Sequence, residues 1–245
     1  MKQIKQQPPW YVAAFGPHYL KVYAHRDERD ASRAVACAER ALGISPATRL
    51  LDLCCGAGRH LRLFNAKTVG LDLSLPLLAH ARREGVNAPL VRGDMRTLPF
   101  AGGNFDVVVN LFTSFGYFDD DGNLTVLQEI ARVLRPGGQA MLDLINPPHT
   151  LARLEAQSEE RRDGMTLFIE RAFDAVGKRL VKTVKIAFDD GSPEVRYQES
   201  VRIYEQPELD SLLTRAGLAA LKRLGSFDGA PFDISSPRQI VIAGR

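Results

Sequence analysis

Residues 51–60 read Leu51-Asp52-Leu53-Cys54-Cys55-Gly56-Ala57-Gly58-Arg59-His60. The apolar start suits a buried strand, and the two glycines permit a tight turn that leaves no Cβ between the backbone amides and a ligand. If the strand turns directly into a helix, those amides meet an anionic group at the helix N-terminus. As a dinucleotide fingerprint the stretch is incomplete, because Leu61 stands where the third glycine belongs.

Outward from this turn, short apolar runs alternate with helix-patterned segments from residue 49 to 146, as in a parallel sheet covered on both faces. Strands are predicted at 49–54, 68–73, 88–93, 105–112 and 139–145. Val107-Val108-Val109 and Met141-Leu142-Asp143-Leu144-Ile145 are nearly continuous in apolar character, which marks central strands. Ser74 is a natural N-cap for a helix from Leu75 to Arg83, with Pro76 tolerated in its first turn. Leu124, Leu127, Ile130, Ala131 and Leu134 form one stripe of a helix over 122–134, which Pro136-Gly137-Gly138 ends.

Upstream, residues 19–43 carry a helical pattern through Ala34, Ala38 and Leu42, preceded by an aromatic segment with Trp10, Tyr11 and Phe15. Downstream, residues 166–204 switch to period-two alternation with turn signals at Val176-Gly177-Lys178 and Asp189-Asp190-Gly191, so a three-stranded antiparallel insertion is expected. A last helix begins near Pro207 and stops at Gly217, before strands near 218–226 and 238–243. The expected fold class is α/β: one domain over 1–245, with a doubly wound seven-stranded mostly parallel sheet and helices on both faces. Segments 1–43 and 166–204 are added to the 49–146 core, and 206–245 completes the sheet.

Composition indicates a globular chain and does not point to nucleic acid or membrane. With 45% apolar and 25% charged residues the chain can bury a sizeable core, and its net charge of +3 is spread rather than gathered into a nucleic-acid-binding block. No run approaches the roughly 18 apolar residues of a membrane span. Residues 1–7 lead into Pro8-Pro9 without a hydrophobic signal core, so a cytoplasmic location is expected. Three cysteines, two of them adjacent, make neither a disulfide framework nor a spaced metal cluster.

In a doubly wound sheet, ligands bind beyond the carboxyl ends of the strands, where the strand order reverses. Asp72 follows Gly58 by 14 residues and ends an apolar strand. Its carboxylate suits both hydroxyls of a ribose and suits equally the start of the helix after Ser74. Asp94, in Arg92-Gly93-Asp94-Met95-Arg96, can accept from an adenine amino group while the Met95 amide and thioether meet the ring; an ordinary Gly-Asp turn is the alternative. Asn110 ends the 105–112 strand beside the first turn, before the loop Phe112-Thr113-Ser114-Phe115-Gly116-Tyr117.

The order and spacing of these segments resemble the class I Rossmann-like S-adenosylmethionine-dependent methyltransferases. The matching residues are DLCCGAG at 52–58, GLDLS at 70–74, GDM at 93–95, FDVVVNLF at 105–112 and LRPGG at 134–138. The resemblance implies S-adenosylmethionine as cofactor, S-adenosylhomocysteine as product and no metal. It implies that Gly56 and Gly58, with Cys54, border the methionine portion, and that Asp52 orients the turn or the amino group. Asp72 with Leu73 would bind the ribose, Asp94 and Met95 the adenine, and Asn110 with Leu111 would flank the sulfonium.

The longer string NLFTSFGYF at 110–118 is similar to small-molecule members that include aminosugar N-methyltransferases. This finer resemblance implies a small-molecule acceptor, met by Phe112, Phe115 and Tyr117 under the insertion. Tyr11, Tyr19 and Tyr23 are expected to form a lid over cofactor and acceptor, or else to pack in the core. His60 is the candidate base beside the cofactor, with simple packing as the alternative; His18 and His25 lie in the lid segment.

Asp119-Asp120-Asp121 invites a metal reading, but consecutive side chains on a turn point apart, and negative charge before a helix is stabilising in itself. Cys54 and Cys55 fit a crowded strand-turn junction. Asn146-Pro147-Pro148-His149 resembles a signature of enzymes that methylate nucleobase amino groups, yet it follows the fifth strand and not the fourth. The remaining alternatives are a nicotinamide-dependent oxidoreductase, a methyltransferase acting on RNA or protein, and a noncatalytic cofactor-binding regulatory module. The missing third glycine disfavours the first.

Overall fold

A computed structural model describes residues 9–16, 18–23 and 28–245. The described chain runs α1 (Trp10–Ala14), α2 (Tyr19–Val22), α3 (Glu28–Leu42), β1 (Arg49–Leu53), β2 (Lys67–Asp72), α4 (Leu75–Arg83), β3 (Leu90–Arg92), β4 (Phe105–Asn110) and α5 (Asp120–Val133). It continues β5 (Leu134–Ile145), α6 (Pro147–Ala152), β6 (Gln157–Arg162), β7 (Met165–Asp174), β8 (Arg179–Phe188), β9 (Val195–Arg202), α7 (Gln206–Arg215), β10 (Ala219–Leu224) and β11 (Arg238–Gly244). His25 lies outside the described residues.

Seven strands form one sheet in the order β10-β11-β5-β4-β1-β2-β3, and β11 alone runs opposite to the other six. Because side chains alternate across a strand, each apolar run feeds two cores. Leu50, Val107, Val109, Met141, Ile240 and Ile242 face α3 through Ala34, Val35 and Ala38. Leu51, Leu53, Val108, Leu142 and Val241 face the opposite side, where Val126, Leu127 and Ile130 of α5 and Leu209, Leu212 and Leu213 of α7 cover them. Each fully buried leucine or isoleucine stabilises this arrangement by roughly 2 kcal/mol, so the two faces hold the strand ends rigidly.

Local signals set the helix ends. Asp119 N-caps α5 by accepting from the Gly122 amide at 2.8 Å, worth about 1 kcal/mol. Ser74 caps α4 through Leu77, and Glu205 with Glu208 closes a capping box on α7.

Four sequence expectations are corrected. No helix follows the glycine turn: only six residues separate Gly58 from Asn65, and they pass through successive turns, including Leu63 N–H and Phe64 N–H to the His60 carbonyl. The anion site of a helix N-terminus is therefore not present there. The second sheet has four antiparallel strands, not three, in the order β6-β7-β8-β9. The extra strand, Gln157-Ser158-Glu159-Glu160-Arg161-Arg162, alternates between exposed and half-buried polar residues and so has no apolar period. Strand β5 begins at Leu134, because Pro136-Gly137-Gly138, with Gly137 at φ +74°, is taken into the strand as a bulge at a register shift against β4. The helical pattern over 19–43 is divided into α2 and α3.

The second sheet is fastened to the loop after β4. Arg179 of β8 donates to the carbonyls of Gly116, Tyr117 and Phe118 at 2.8–3.3 Å, and the Arg202 amide donates to the Gly116 carbonyl at 2.7 Å. Gly116 is required there: its φ is +99°, and a Cβ would lie 2.3 Å from the Arg202 carbonyl oxygen.

Candidate active site

Strand β1 lies between β2 and β4, so the order reverses at this point and the ends of β1–β4 border a crevice. That crevice opens into a cavity of about 450 Å³ between the strand ends, the N-terminal helices and β9. Its size is in the range of a small-molecule site.

The floor starts at the glycine turn. Cys54, Gly56 and Gly58 all have positive φ, at +65°, +55° and +73°. Cys54 therefore holds a backbone shape that costs an L-residue about 1–2 kcal/mol, a cost the neighbouring contacts must offset. Asp72 supplies two such contacts. Its Oδ2 accepts the Gly56 amide at 2.8 Å and its Oδ1 accepts the Ser74 amide at 2.8 Å, tying the turn to the start of α4. Both readings of Asp72 meet here, since a carboxylate that caps these amides also faces the cavity with lone pairs to spare. Burial raises its carboxyl above the ordinary range, and the backbone amides pull it down.

Asp52 sits beneath this floor. It is 1% exposed, and its Oδ2 accepts no hydrogen bond among the described residues. Burial pushes its carboxyl up to about 7, the nearby Asp72 charge adds to the rise, and Arg59 opposes it. Burial likewise raises the Cys54 and Cys55 thiols, which leaves them inert as nucleophiles.

Three residues expected at the cofactor sit behind the lining, and one expected at the acceptor does too. Gly58 packs against the end of α4 and the turn after it: a Cβ there would lie 3.4 Å from Ala81 Cβ and 2.9 Å from Val86 Cγ2. Asn110 turns sideways and donates from Nδ2 to the Leu53 carbonyl at 2.9 Å, joining β4 to β1. Asp52 is covered by the turn. Phe115 is 3% exposed and packs on Tyr204 with ring centroids 5.8 Å apart, because Gly116 turns the loop so that Phe115 enters the core and Tyr117 faces the cavity.

The far floor carries Leu73, Asp94 and Met95. Arg96 engages both Asp94 oxygens, with its shortest contact at 2.7 Å, and draws the carboxyl below the usual range even though partial burial pushes the other way. Met95 places its sulfur 3.6 Å from Cys54 Sγ, joining this floor to the glycine turn.

The near wall holds Leu111, Phe112 and Thr113. Phe112 and Thr113 have φ of +57° and +59°, two consecutive left-handed residues without glycine. Asp143, fully buried on β5, stabilises the pair by accepting the Phe112 amide at 2.7 Å, and Arg238 neutralises it at 2.9 Å. His60 stacks on Phe112 at 5.1 Å, and the Arg59 guanidinium covers the same ring at 3.8 Å. His60 thus borders the cavity as a packed ring, 5% exposed.

Aromatic rings close the opposite side. Trp10, Tyr11, Phe15 and Tyr19 line it with Tyr117 and Phe118; Trp10 meets Tyr117 at 4.8 Å and Phe15 meets Tyr19 at 5.1 Å. Ser74 Oγ donates to the Phe15 carbonyl at 2.7 Å, which attaches this wall to the floor. His18 packs on Phe188 at 5.3 Å and does not line the cavity. Sequence reasoning missed Glu199 and Val201, which line the cavity from β9. Tyr197, Glu199 and Val201 share one face at period two, a pattern that marks the strand in the sequence but not which element its face meets.

The remaining motifs are structural. Asp120 accepts the Tyr204 hydroxyl at 2.7 Å and pairs with Arg202, while Asn146 Nδ2 donates to the Ile234 and Ser236 carbonyls at 3.1 and 2.7 Å. Among the described residues no three metal-ligating side chains come together, and no helix is long and apolar enough to cross a membrane.

Comparison with known proteins agrees with this geometry. The Methyltransferase domain family matches residues 50–138, the stretch from β1 to the start of β5. A dTDP-3-amino-3,4,6-trideoxy-alpha-D-glucopyranose N,N-dimethyltransferase of Streptomyces venezuelae is 31% identical over 224 residues, covering 87% of this chain and 92% of the relative. Among solved structures, the CcbJ methyltransferase from Streptomyces caelestis aligns with TM-score 0.80 at 20% identity, over 95% of this chain and 98% of the other. Streptomyces venezuelae DesVI aligns with TM-score 0.65 at 28% identity, over 92% and 95% of the two chains. The chain belongs to the S-adenosylmethionine-dependent methyltransferases. Its reaction is transfer of the methyl group of that cofactor.

Proposed function

We propose that the acceptor is an amino group on a sugar, free or nucleotide-linked. The observation that carries this reading is the likeness to a sugar N,N-dimethyltransferase, which covers 87% of this chain and so extends well beyond the common core. Beyond that core, the N-terminal helices wall the acceptor side of the cavity with aromatic rings and β9 adds Glu199 and Val201.

The residues present fit the cofactor. Asp72 would hold the ribose, with Leu73 beside it; Met95 would lie against the adenine, with Asp94 at its edge. Gly56 and Cys54 would pass the methionine portion, and Leu111 would flank the sulfur. When bound, S-adenosylmethionine supplies a methyl group made electrophilic by its sulfonium. Asp52 and Asn110 act indirectly, by shaping the turn and the β1–β4 junction. Tyr11 and Tyr19 cover the site and exclude water, while Phe112 and Tyr117 orient the acceptor. His60 fits a positioning role, since its ring is held flat on Phe112.

Incubation with methyl-labelled S-adenosylmethionine and a panel of aminosugars tests the reading. Mass spectrometry should find the label on nitrogen of at least one aminosugar. Label on oxygen, or on no sugar while another small-molecule class is labelled, would overturn it.

A further inference from the structure

Glu199 lines the cavity from β9, with its side chain 18% exposed. A carboxylate set into an aromatic wall loses much of its hydration, so it persists only with partners that replace it. Its partners are unequal. The Tyr23 hydroxyl donates to Oε1, and Lys182, its cross-strand neighbour, donates to the Tyr23 hydroxyl at 2.5 Å. Lys182 Nζ stands 3.6 Å from the same Oε1, beyond good hydrogen-bond length, and lies over the Tyr23 ring at 4.5 Å. Lys182 is not part of the lining, so the charge that balances Glu199 stands behind the wall. Both contacts, the Tyr23 hydrogen bond and the Lys182 ion pair, fall on Oε1.

The other two carboxylates of the lining are engaged elsewhere, Asp72 with the Gly56 and Ser74 amides and Asp94 with Arg96. Glu199 is the one that shares its side of the cavity with Trp10, Tyr11 and Tyr19, whose ring faces attract a cation. A carboxylate beside aromatic faces is the chemistry that distinguishes an ammonium group from a hydroxyl.

We infer that Glu199 is the acceptor-recognition carboxylate: it binds the substrate ammonium group and takes its proton, with Tyr23 as the positioning residue that fixes Oε1. The inference rests on the reading of the acceptor as an amine. In the proton step an N–H bond of the ammonium breaks, an O–H bond forms on Glu199, and nitrogen keeps the electron pair with which it then receives the methyl group.

The test is calorimetry on the full chain loaded with S-adenosylhomocysteine, with two matched pairs of probes. One pair is a methyl aminodeoxyhexoside and its parent methyl hexoside; the other is cyclohexylamine and cyclohexanol. The wild type should prefer the amine in at least one pair by about tenfold or more, and Glu199→Gln should abolish the preference. Glu199→Asp should keep part of it, and affinity for S-adenosylhomocysteine should stay within about twofold throughout, because Glu199 lies on the aromatic side of the cavity and not on the floor formed by Asp72, Leu73 and Met95. The proposal is overturned if the wild type shows no amine preference in either pair or if Glu199→Gln retains it. It is also overturned if Glu199→Gln weakens S-adenosylhomocysteine and both members of a pair alike, which is the behaviour of a latch. A Glu199-dependent preference confined to cyclohexylamine supports Glu199 and removes the sugar. Equal binding of both hexosides, without any amine preference, keeps the sugar and removes Glu199.

Discussion

Raising the pH from about 5 to about 9 should destabilise the folded chain through one buried carboxyl group, Asp52. An unfolded aspartate ionises near 3.8, whereas burial and the Asp72 charge push the folded Asp52 up to about 7. A folded value above the unfolded one means that the native state holds the proton more tightly. Its stabilising effect is therefore complete below about pH 4 and is lost as the pH rises through about 7. At about 1.4 kcal/mol per unit, the full loss is on the order of 4 kcal/mol. For a chain of this size that corresponds to a fall in Tm on the order of 10 °C. Asp52→Asn keeps the shape and cannot ionise, so its Tm should exceed the wild type by only a few degrees near pH 5, where roughly a third of the effect is already lost, and by on the order of 10 °C near pH 9. Asp72 is raised as well and contributes a slope of the same sign to both proteins, so the difference between the two curves isolates Asp52. Parallel Tm curves across the range would refute the reasoning.

Arg238→Met leaves the fully buried Asp143 without its guanidinium and should cost about 3–5 kcal/mol in urea unfolding; a loss under about 1 kcal/mol would show that the pair does not hold the Phe112 turn. Gly116→Ala forces a Cβ against the Arg202 carbonyl at a φ of +99° and should cost about 2 kcal/mol or more, read from the urea midpoint; an unchanged midpoint would mean that the two sheets can part at no cost. Asp72→Asn keeps one acceptor for the Gly56 or Ser74 amide but loses the charge, and should weaken S-adenosylhomocysteine by about tenfold in calorimetry. Full affinity in that variant would remove Asp72 from the ribose site.

The seven-stranded sheet was legible because its strands are covered on both faces and its helices carry their own caps, as at Ser74. Strand β6 was not, since Gln157–Arg162 pairs with β7 while showing only polar residues. The same limit applies to side-chain direction. Period and spacing located the loop 110–118, but Gly116 and the Arg202 contact decide that Phe115 turns inward and Tyr117 outward. Asn110 and Asp52 stood at strand ends as expected, yet whether a strand-end side chain faces the crevice or the neighbouring strand depends on twist and turn shape, which a linear pattern does not encode. Glu199 is illegible in the sequence for a related reason: a polar residue on a half-buried strand acquires meaning only when another segment, here Tyr23, meets it.

Calorimetric titration with S-adenosylhomocysteine, set beside NAD, tests the central claim most directly. The account predicts saturable one-to-one binding of the sulfur ligand and none of NAD. Binding of NAD with no response to S-adenosylhomocysteine would contradict it.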